Sequence, residues 1–198
     1  MKVIGIVGGT GAGKTTALNE LAAFNVEVLD CDAIYHELLK GSDQLRADII
    51  ARFGDVFNEN GLDRQKLGGV VFNDPDALRS LNAITFSHIT AEVRRRMAAA
   101  RQAGKAGTAI DAVALLECDL KDECDCIVAI MAPAEVRIRR IMAREGISED
   151  YARSRIAAQK PEDYFRQRCD YVLENDSTRE AFAEKARTLF AHIMRENH

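Results

Sequence analysis

The stretch that most constrains this chain is GGTGAGKTT at residues 8–16, which follows the apolar run VIGIV at residues 3–7. It matches the pattern GxxxxGK[ST] in full, with Lys14 and Thr15 at the last two positions. Glycines let the backbone curl so that successive N–H groups point inward at phosphate groups, and a helix that starts directly after the loop favours an anion there. Lys14 adds a mobile positive charge, and the Thr15 hydroxyl can bind Mg²⁺. The stretch therefore predicts a nucleotide triphosphate site, and it leaves open which molecule receives the phosphate.

Strands and helices alternate along the rest of the chain. Apolar, β-rich runs predict strands at residues 3–7, 26–29, 108–116, 126–131 and 171–173. This alternation predicts an α/β fold with a mainly parallel sheet and helices on both faces. The long stretch between the second and third strands is typical of helices and predicts a separate helical lobe, with Asp74 capping a helix that starts at Pro75. The capping box Ser177-x-x-Glu180 predicts the start of the last helix.

Charge, apolar runs and cysteines indicate which kinds of binding partner to expect. The 27 Lys and Arg residues stand against 31 Asp and Glu residues, a net charge of −4, so we expect no nucleic-acid or membrane partner. No apolar run approaches the roughly 18 residues that span a bilayer, and the five cysteines include no CxxC pair. Because free thiols are typical of a reducing compartment, we expect a cytoplasmic protein, and nothing in the sequence suggests an obligatory protein partner.

A second motif favours a kinase over a GTP-dependent switch. The guanine-reading motif NKxD does not occur in the sequence, whereas Asp30-Cys31-Asp32 follows the second strand, at the edge where ligands bind in open α/β sheets. On an extended segment the two carboxylates would point the same way. Asp32 is our candidate for the general base or the group that orients the acceptor hydroxyl. The alternative is that the two aspartates only cap the following helix.

Arginines are concentrated late in the chain. Arg137, Arg140 and Arg144 fall at i, i+3 and i+7, on one face of a helix, and the next segment places Arg155 and Gln159 about one turn apart. A helix pair with this much positive charge could close over a triphosphate as a lid. The alternative is an ordinary solvated face, and these residues alone leave both open.

Six segments, in order and with matching gaps, resemble the dephospho-coenzyme A kinase family. They are GIVGGTGAGKTT, VEVLDCDAIYHELL, the stretch from FGDVF to LRSLNAI, AIDAVALLE, RIRRIMAREGISEDYARSRIAAQ and CDYVLEND. Only the first is specific by itself, so their common order over nearly the whole chain carries the resemblance. The family implies phosphorylation of the ribose 3′-hydroxyl of dephospho-coenzyme A, the last step of coenzyme A biosynthesis, with ATP and Mg²⁺. The alternatives are another small-molecule kinase, for nucleosides or nucleoside monophosphates, and a non-catalytic nucleotide-binding relative.

The resemblance also implies an architecture. It is an α/β P-loop NTPase fold of the nucleotide-kinase type, with a five-stranded parallel sheet, an inserted helical substrate lobe and a lid. On this chain the core would comprise residues 1–32, 106–135 and 168–198, the lobe about 33–105, and the lid about 136–167.

The same resemblance implies roles for single residues. Those implied to be catalytic are Asp32 as the base, Lys14, and Arg140 and Arg144 on the transferring phosphoryl group. Those implied to hold ATP are the loop residues and one residue near the adenine: Gly11, Ala12, Gly13, Lys14, Thr15, Thr16 and Asn175. Thr15 would also bind Mg²⁺. Those implied to contact the acceptor are Asp32, His36, Arg64 and Glu117, with His36 and Arg64 facing its phosphate and adenosine.

Two departures from the family pattern concern the acceptor. The family's His after LNxI falls at Phe86, and His88, two residues later, would point about 200° away around a helix. The family's Pro before the Glu is also missing, since Val113-Ala114 precedes Leu115-Leu116-Glu117 here. Both affect the positioning of the acceptor rather than the phosphoryl-transfer residues.

Overall fold

The computed structural model describes residues 1–59 and 61–196 and has the predicted α/β fold. The strands are β1 Lys2–Val7, β2 Val26–Asp30, β3 Phe57–Asn58, β4 Gly61–Leu62, β5 Gly107–Asp111, β6 Cys126–Met131 and β7 Tyr171–Glu174. The helices are α1 Lys14–Ala22, α2 Cys31–Gly41, α3 Asp43–Phe53, α4 Arg64–Val71, α5 Pro75–Gln102, α6 Ala134–Glu145, α7 Glu149–Ala157, α8 Glu162–Arg166 and α9 Arg179–Arg195.

Five strands form a parallel sheet in the order β2-β5-β1-β6-β7, which confirms the predicted fold class. All six residues of β6 are buried, as expected for a strand that is covered on both faces. Phe182 and Phe190 of α9 pack with Ile4 and Ile6 of β1 in the main core, and all four are fully buried. The central strand β1 is thus packed in the main core, and it leads directly into the glycine-rich loop.

The chain divides into two compact units. One comprises Met1–Leu29 with the chain from Ala99 onwards, and the other is Asp30–Ala98. The second unit has its own core, in which Leu45 and Ile49 of α3 pack with Leu67 and Val71 of α4. The sequence predicted only helices here, whereas the structure adds the short antiparallel hairpin of β3 and β4.

Three local expectations can be compared with the structure. The Asp74 cap is confirmed, because its side chain accepts hydrogen bonds from the N–H groups of Asp76 (2.8 Å) and Ala77 (3.2 Å). The strand predicted at 108–116 is wrong beyond Asp111, which pairs with Ile6 at the last position of the β1–β5 register, one residue before β1 ends at Val7. The last helix is capped by Thr178 rather than Ser177, since Ser and Thr are both good N-caps and residue type alone does not choose between them.

Among the residues that the structure describes, none of the helices combines the length and the apolar character that crossing a bilayer requires.

Candidate active site

The phosphate-binding loop, residues 8–16, connects β1 to α1. Gly8 and Gly13 have φ of 149° and 106°, which residues with a side chain rarely adopt. Gly13 is the N-cap of α1, and a Cβ at this position would collide with the Asn175 side chain. The helix therefore begins at Lys14 with its N-terminus at the loop, which is a favourable position for an anion.

Lys14 forms an ion pair with a residue that the sequence analysis missed. Its Nζ lies 3.2 Å from Oδ1 of Asp111, and the two side chains are only 20 % and 15 % exposed. Asp111 is the last residue of β5, the strand next to β1, and the available signal was a single acidic residue inside the otherwise apolar run 108–116. In P-loop enzymes an aspartate of this kind helps to hold Mg²⁺.

The oxygen groups beside the loop fit a magnesium ion. Mg²⁺ prefers oxygen ligands and is usually held by one or two protein groups together with substrate phosphates. The Thr15 hydroxyl and the Asp111 carboxylate are such groups, and Thr15 is exposed. Within residues 1–59 and 61–196 there is no cluster of three or more His, Cys, Asp or Glu side chains suited to a metal, so a site here would depend on phosphate oxygens.

Asn175 and Arg140 form hydrogen bonds with carbonyl oxygens of the phosphate-binding loop. The buried Asn175 donates from Nδ2 to the carbonyl oxygen of Ala12 (2.8 Å), and Arg140 donates to Asn175 Oδ1 (3.0 Å) and to the carbonyl oxygen of Gly11 (3.3 Å). The N–H of Ala12 donates to the carbonyl oxygen of Gly9 (3.1 Å). The structure thus brings these predicted residues together as supports of the loop, and their contacts with a nucleotide stay predictions.

Arg137 and Gln159 form hydrogen bonds with Thr10 of the phosphate-binding loop. Arg137 donates from Nε to the carbonyl oxygen of Thr10 (2.9 Å) and also donates to the Gln159 side chain. Gln159 accepts from the N–H of Thr10 (3.2 Å) and donates to its hydroxyl (2.8 Å). Burial lowers the pKa of Arg137 from its ordinary value, and Glu162 partly opposes this. The α6–α7 segment therefore contacts the loop directly, which an exposed, solvated face would not do.

Arg144 lies apart from these contacts. Its side chain is exposed and pairs with Glu145 (2.6 Å), which also pairs with Arg155. The structure therefore places Arg140, but not Arg144, against the loop, because Arg144 lies one further turn along α6.

Glu117 lies at a cavity beside the loop. The cavity has a volume of about 290 Å³ and is lined by Gly9, Thr10, Lys14, Glu117 and Lys160, among others. Glu117 lies in the turn Leu115–Glu117 after β5, and its Oε1 is 3.0 Å from Nζ of Lys160. The segment that lacks the family's Pro, Val113-Ala114, lines the same cavity.

A second cavity lies within the unit Asp30–Ala98. Its volume is about 330 Å³, and three of the four predicted acceptor residues line it: Asp32, His36 and Arg64. Tyr35 lines it as well; burial raises the pKa of this phenol, and the charge of Arg64 partly opposes the change. Most of the remaining wall is apolar, from Leu39, Leu67 and Phe72 among others. A carboxylate, an imidazole and a guanidinium therefore face one apolar cavity.

The two aspartates of the DxD motif have different environments. Asp30 is the N-cap of α2 and accepts from the N–H groups of Asp32 (2.9 Å) and Ala33 (3.0 Å). The expectation that both carboxylates project alike from an extended segment is wrong, because the helix begins at Cys31. Capping therefore occupies Asp30 and leaves the exposed Asp32 carboxylate for the cavity.

His88 connects two helices of the same unit. Its Nε2 lies 2.7 Å from Oδ2 of Asp48 in α3, and this bond lowers the pKa of the Asp48 carboxyl. Phe86, at the family's His position, is exposed. His88 thus has a structural partner on α3.

Three of the thiols are unsuited to nucleophilic chemistry. None of the five cysteines, which all lie among the described residues, forms a disulfide, and burial raises the pKa of Cys124 to about 12 and the pKa values of Cys126 and Cys169 to about 11. These three groups remain thiols near neutral pH, so they are poor nucleophiles.

Around the phosphate-binding loop lie N–H groups, a helix N-terminus and basic side chains that can bind phosphate oxygens. The unit Asp30–Ala98 offers a cavity with a carboxylate. A glycine-rich loop after the central strand of a five-stranded parallel sheet, with basic side chains beside it, defines the class as a P-loop kinase, which uses a nucleotide.

Comparison with known proteins gives the family. The model of the family described as "CoaE: Dephospho-CoA kinase" matches residues 2–181. A dephospho-CoA kinase of Anaeromyxobacter dehalogenans is 36 % identical over 195 residues, which cover 98 % of this chain and 92 % of the relative. The chain therefore belongs to the dephospho-CoA kinase family.

Solved structures agree with the fold. A crystal structure from Thermus thermophilus matches with a TM-score of 0.79 and 27 % identity over 100 % of this chain and 98 % of its own. The dephospho-CoA kinase of Campylobacter jejuni matches with a TM-score of 0.71 and 21 % identity, over 98 % of both chains.

Proposed function

We propose that this protein transfers the γ-phosphate of ATP to the ribose 3′-hydroxyl of dephospho-coenzyme A, which gives coenzyme A. One observation carries the proposal: in a chain of this family, Asp32, His36 and Arg64 line a single cavity. A carboxylate for the hydroxyl and basic groups for the acceptor's phosphates are what this acceptor needs.

The donor half of the reaction rests on the loop. We infer that the N–H groups from Gly11 to Thr16 and the Nζ of Lys14 bind the phosphates of ATP, and that Arg140 adds positive charge beside them. Thr15 and Asp111 would hold Mg²⁺, which when bound neutralises charge on the β- and γ-phosphate oxygens. Lys14 would then leave Asp111 and bind the phosphates instead, since its Nζ has only three N–H donors.

The acceptor half rests on the unit Asp30–Ala98. Asp32 would accept or orient the 3′-hydroxyl proton, because its carboxylate is exposed in the first turn of α2 and is not used as the helix cap. Arg64 and His36 would bind the acceptor's phosphates, and the apolar wall would contact its adenine. Glu117 and Arg144 remain predicted contributors, at the acceptor and at the phosphoryl group.

We further propose a cytoplasmic enzyme that acts without nucleic acid, a membrane or an obligatory protein partner. The net charge of −4 and five cysteines that form no disulfide support this part of the proposal.

The test is turnover by the purified chain with Mg²⁺-ATP. ADP release is measured with dephospho-coenzyme A and with a panel of nucleosides and nucleoside monophosphates. We expect release with dephospho-coenzyme A far above the ATPase background. Faster turnover of any nucleoside or nucleotide on the panel would instead make the protein another small-molecule kinase, and no turnover at all would make it a nucleotide binder.

Asp32→Asn tests the base. We expect kcat to fall by at least a hundredfold with little change in the KM for ATP, because general-base catalysis is typically worth 10²- to 10⁴-fold. Asp30→Asn is the matched control, since Asn caps a helix as well as Asp does, and its kcat should stay close to that of the native chain. A large rise in the KM for ATP in Asp32→Asn would assign Asp32 to the metal instead.

A further inference from the structure

Lys160 is a second lysine at the cavity beside the phosphate-binding loop. It lies in the short connection between α7, which ends at Ala157, and α8, which begins at Glu162. Its side chain lines the same cavity as Lys14, Gly9 and Thr10. Two lysines from distant parts of the sequence thus line one cavity of about 290 Å³.

The backbone around Lys160 is held against the loop. Gln159, the preceding residue, exchanges two hydrogen bonds with Thr10 and accepts one from Arg137. Pro161, the following residue, is the N-cap of α8 with φ of −67°. The position of the Lys160 backbone is therefore set by its neighbours, while its four-carbon side chain can still reorient.

The present partner of Lys160 holds it weakly. Nζ lies 3.0 Å from Oε1 of Glu117, and the two side chains are 53 % and 47 % exposed. Nζ also lies 5.1 Å from the centre of the Tyr164 ring. Solvent screening makes an ion pair this exposed a weak contribution to stability. A triphosphate carries several negative charges and accepts charge-assisted hydrogen bonds, which are stronger than those between neutral groups, so it would displace a single carboxylate.

We propose that Lys160 binds the γ-phosphate of the donor nucleotide, leaving Glu117 when a triphosphate occupies the cavity. Lys160 would thereby act together with Lys14, which lines the same cavity. The pattern is the same for both lysines in this structure, because each is paired with one carboxylate, Asp111 or Glu117. The inference rests only on the donor part of the proposed function, and the identity of the acceptor does not enter it.

Nucleotide binding to Lys160→Met tests the proposal. Affinities for the non-hydrolysable analogue AMPPNP and for ADP are measured by calorimetry with Mg²⁺. We expect AMPPNP to bind about tenfold more weakly or worse, since one charge-assisted hydrogen bond is lost, and ADP to bind within twofold of the native affinity. Lys160→Arg should recover most of the AMPPNP affinity. Equal losses for both nucleotides, or no loss, would overturn the assignment.

Lys105→Met is the matched control. Lys105 lies just before β5 and pairs with Glu27 at 3.0 Å, with side chains that are 34 % and 44 % exposed. Its ion pair is also partly exposed, though less so than that of Lys160, and the start of β5 lies at the opposite end of the parallel sheet from the loop. Both affinities should stay within twofold.

Glu117→Gln tests the exchange of partners. If Glu117 competes with the γ-phosphate for Lys160, its removal should tighten AMPPNP binding a few-fold, and Lys160→Met should abolish this gain in the double variant. A gain that persists without Lys160 would contradict the exchange. Because no acceptor is present, a failure here is distinct from a failure of dephospho-coenzyme A to be phosphorylated.

Discussion

At the scale of single residues, the buried amide of Asn175 links three segments: its own loop after β7, the phosphate-binding loop at Ala12 and helix α6 through Arg140. We expect Asn175→Ala to lower the free energy of unfolding by about 1–3 kcal/mol, because the Ala12 carbonyl loses its donor. Urea unfolding measures this. Asn19→Ala, at an exposed site in α1, should change it by less than about 0.5 kcal/mol. An equal effect in both variants would contradict the role of Asn175.

The same scale shows what the sequence could and could not predict about the site. Spacing predicts the loop and Asp32, and resemblance predicts His36 and Arg64; the structure places these three side chains at one cavity, and their roles stay predictions. Asp111 was missed, although a charged residue inside an otherwise apolar run was a readable signal. The loop contacts of Arg137 and Gln159 could not be derived, because their partner Thr10 lies more than a hundred residues away in sequence and only the folded chain brings them together.

At the scale of elements, α5 is connected to α2 by charged side chains. Glu92 binds Arg95 and Arg96 within α5, and Arg96 also pairs with Glu37 of α2. The hydrogen bond from Arg95, with further contributions from Arg96, lowers the pKa of Glu92 to about 2. The Glu92 carboxylate therefore contributes fully to the free energy of unfolding above the ordinary pKa that a glutamate has in the unfolded chain. This contribution is lost as the pH falls towards 2.

Glu92→Gln tests this pH dependence. At pH 7 we expect it to lower the free energy of unfolding by roughly 1–2 kcal/mol, and the difference from the native chain should narrow steadily below about pH 4.5. Urea unfolding from pH 7 to pH 3 measures it. Glu184→Gln is the control, since Glu184 also pairs with an arginine three residues away but is 66 % exposed, against 16 % for Glu92. A difference that stays constant down to pH 3 would contradict the prediction.

The boundaries of the strands could also be predicted only in part from the sequence. β6 was predicted with its observed bounds because six consecutive apolar residues are buried on both sides. The apolar run after β5 continues beyond Asp111, yet its Leu115 packs against Gly5 in a tight turn instead of extending the strand. Hydrophobicity predicts burial at such a position, but strand pairing also needs a neighbouring backbone, which the sequence does not reveal.

At the scale of the whole molecule, the loop and the cavity with Asp32 belong to different compact units. The predicted lobe, residues 33–105, overlaps the observed unit Asp30–Ala98, but the division falls inside the continuous helix α5, where no turn signal marks it. Each ligand should therefore stabilise mainly the unit that binds it, because ligand binding raises the free energy of opening by about 2.7 kcal/mol at a hundred times Kd.

Hydrogen exchange followed by mass spectrometry tests this division of binding. We expect AMPPNP with Mg²⁺ to slow amide exchange in residues 8–16 and at the start of α1, and dephospho-coenzyme A alone to slow exchange in α2 and α4, which carry Asp32, His36 and Arg64. Adenosine is the matched ligand, and it should protect α2 and α4 less, because it lacks the phosphates that Arg64 and His36 would bind. If dephospho-coenzyme A slowed exchange only around the phosphate-binding loop, the assignment of the acceptor to the cavity in Asp30–Ala98 would be wrong, even if the chain proved to be a kinase.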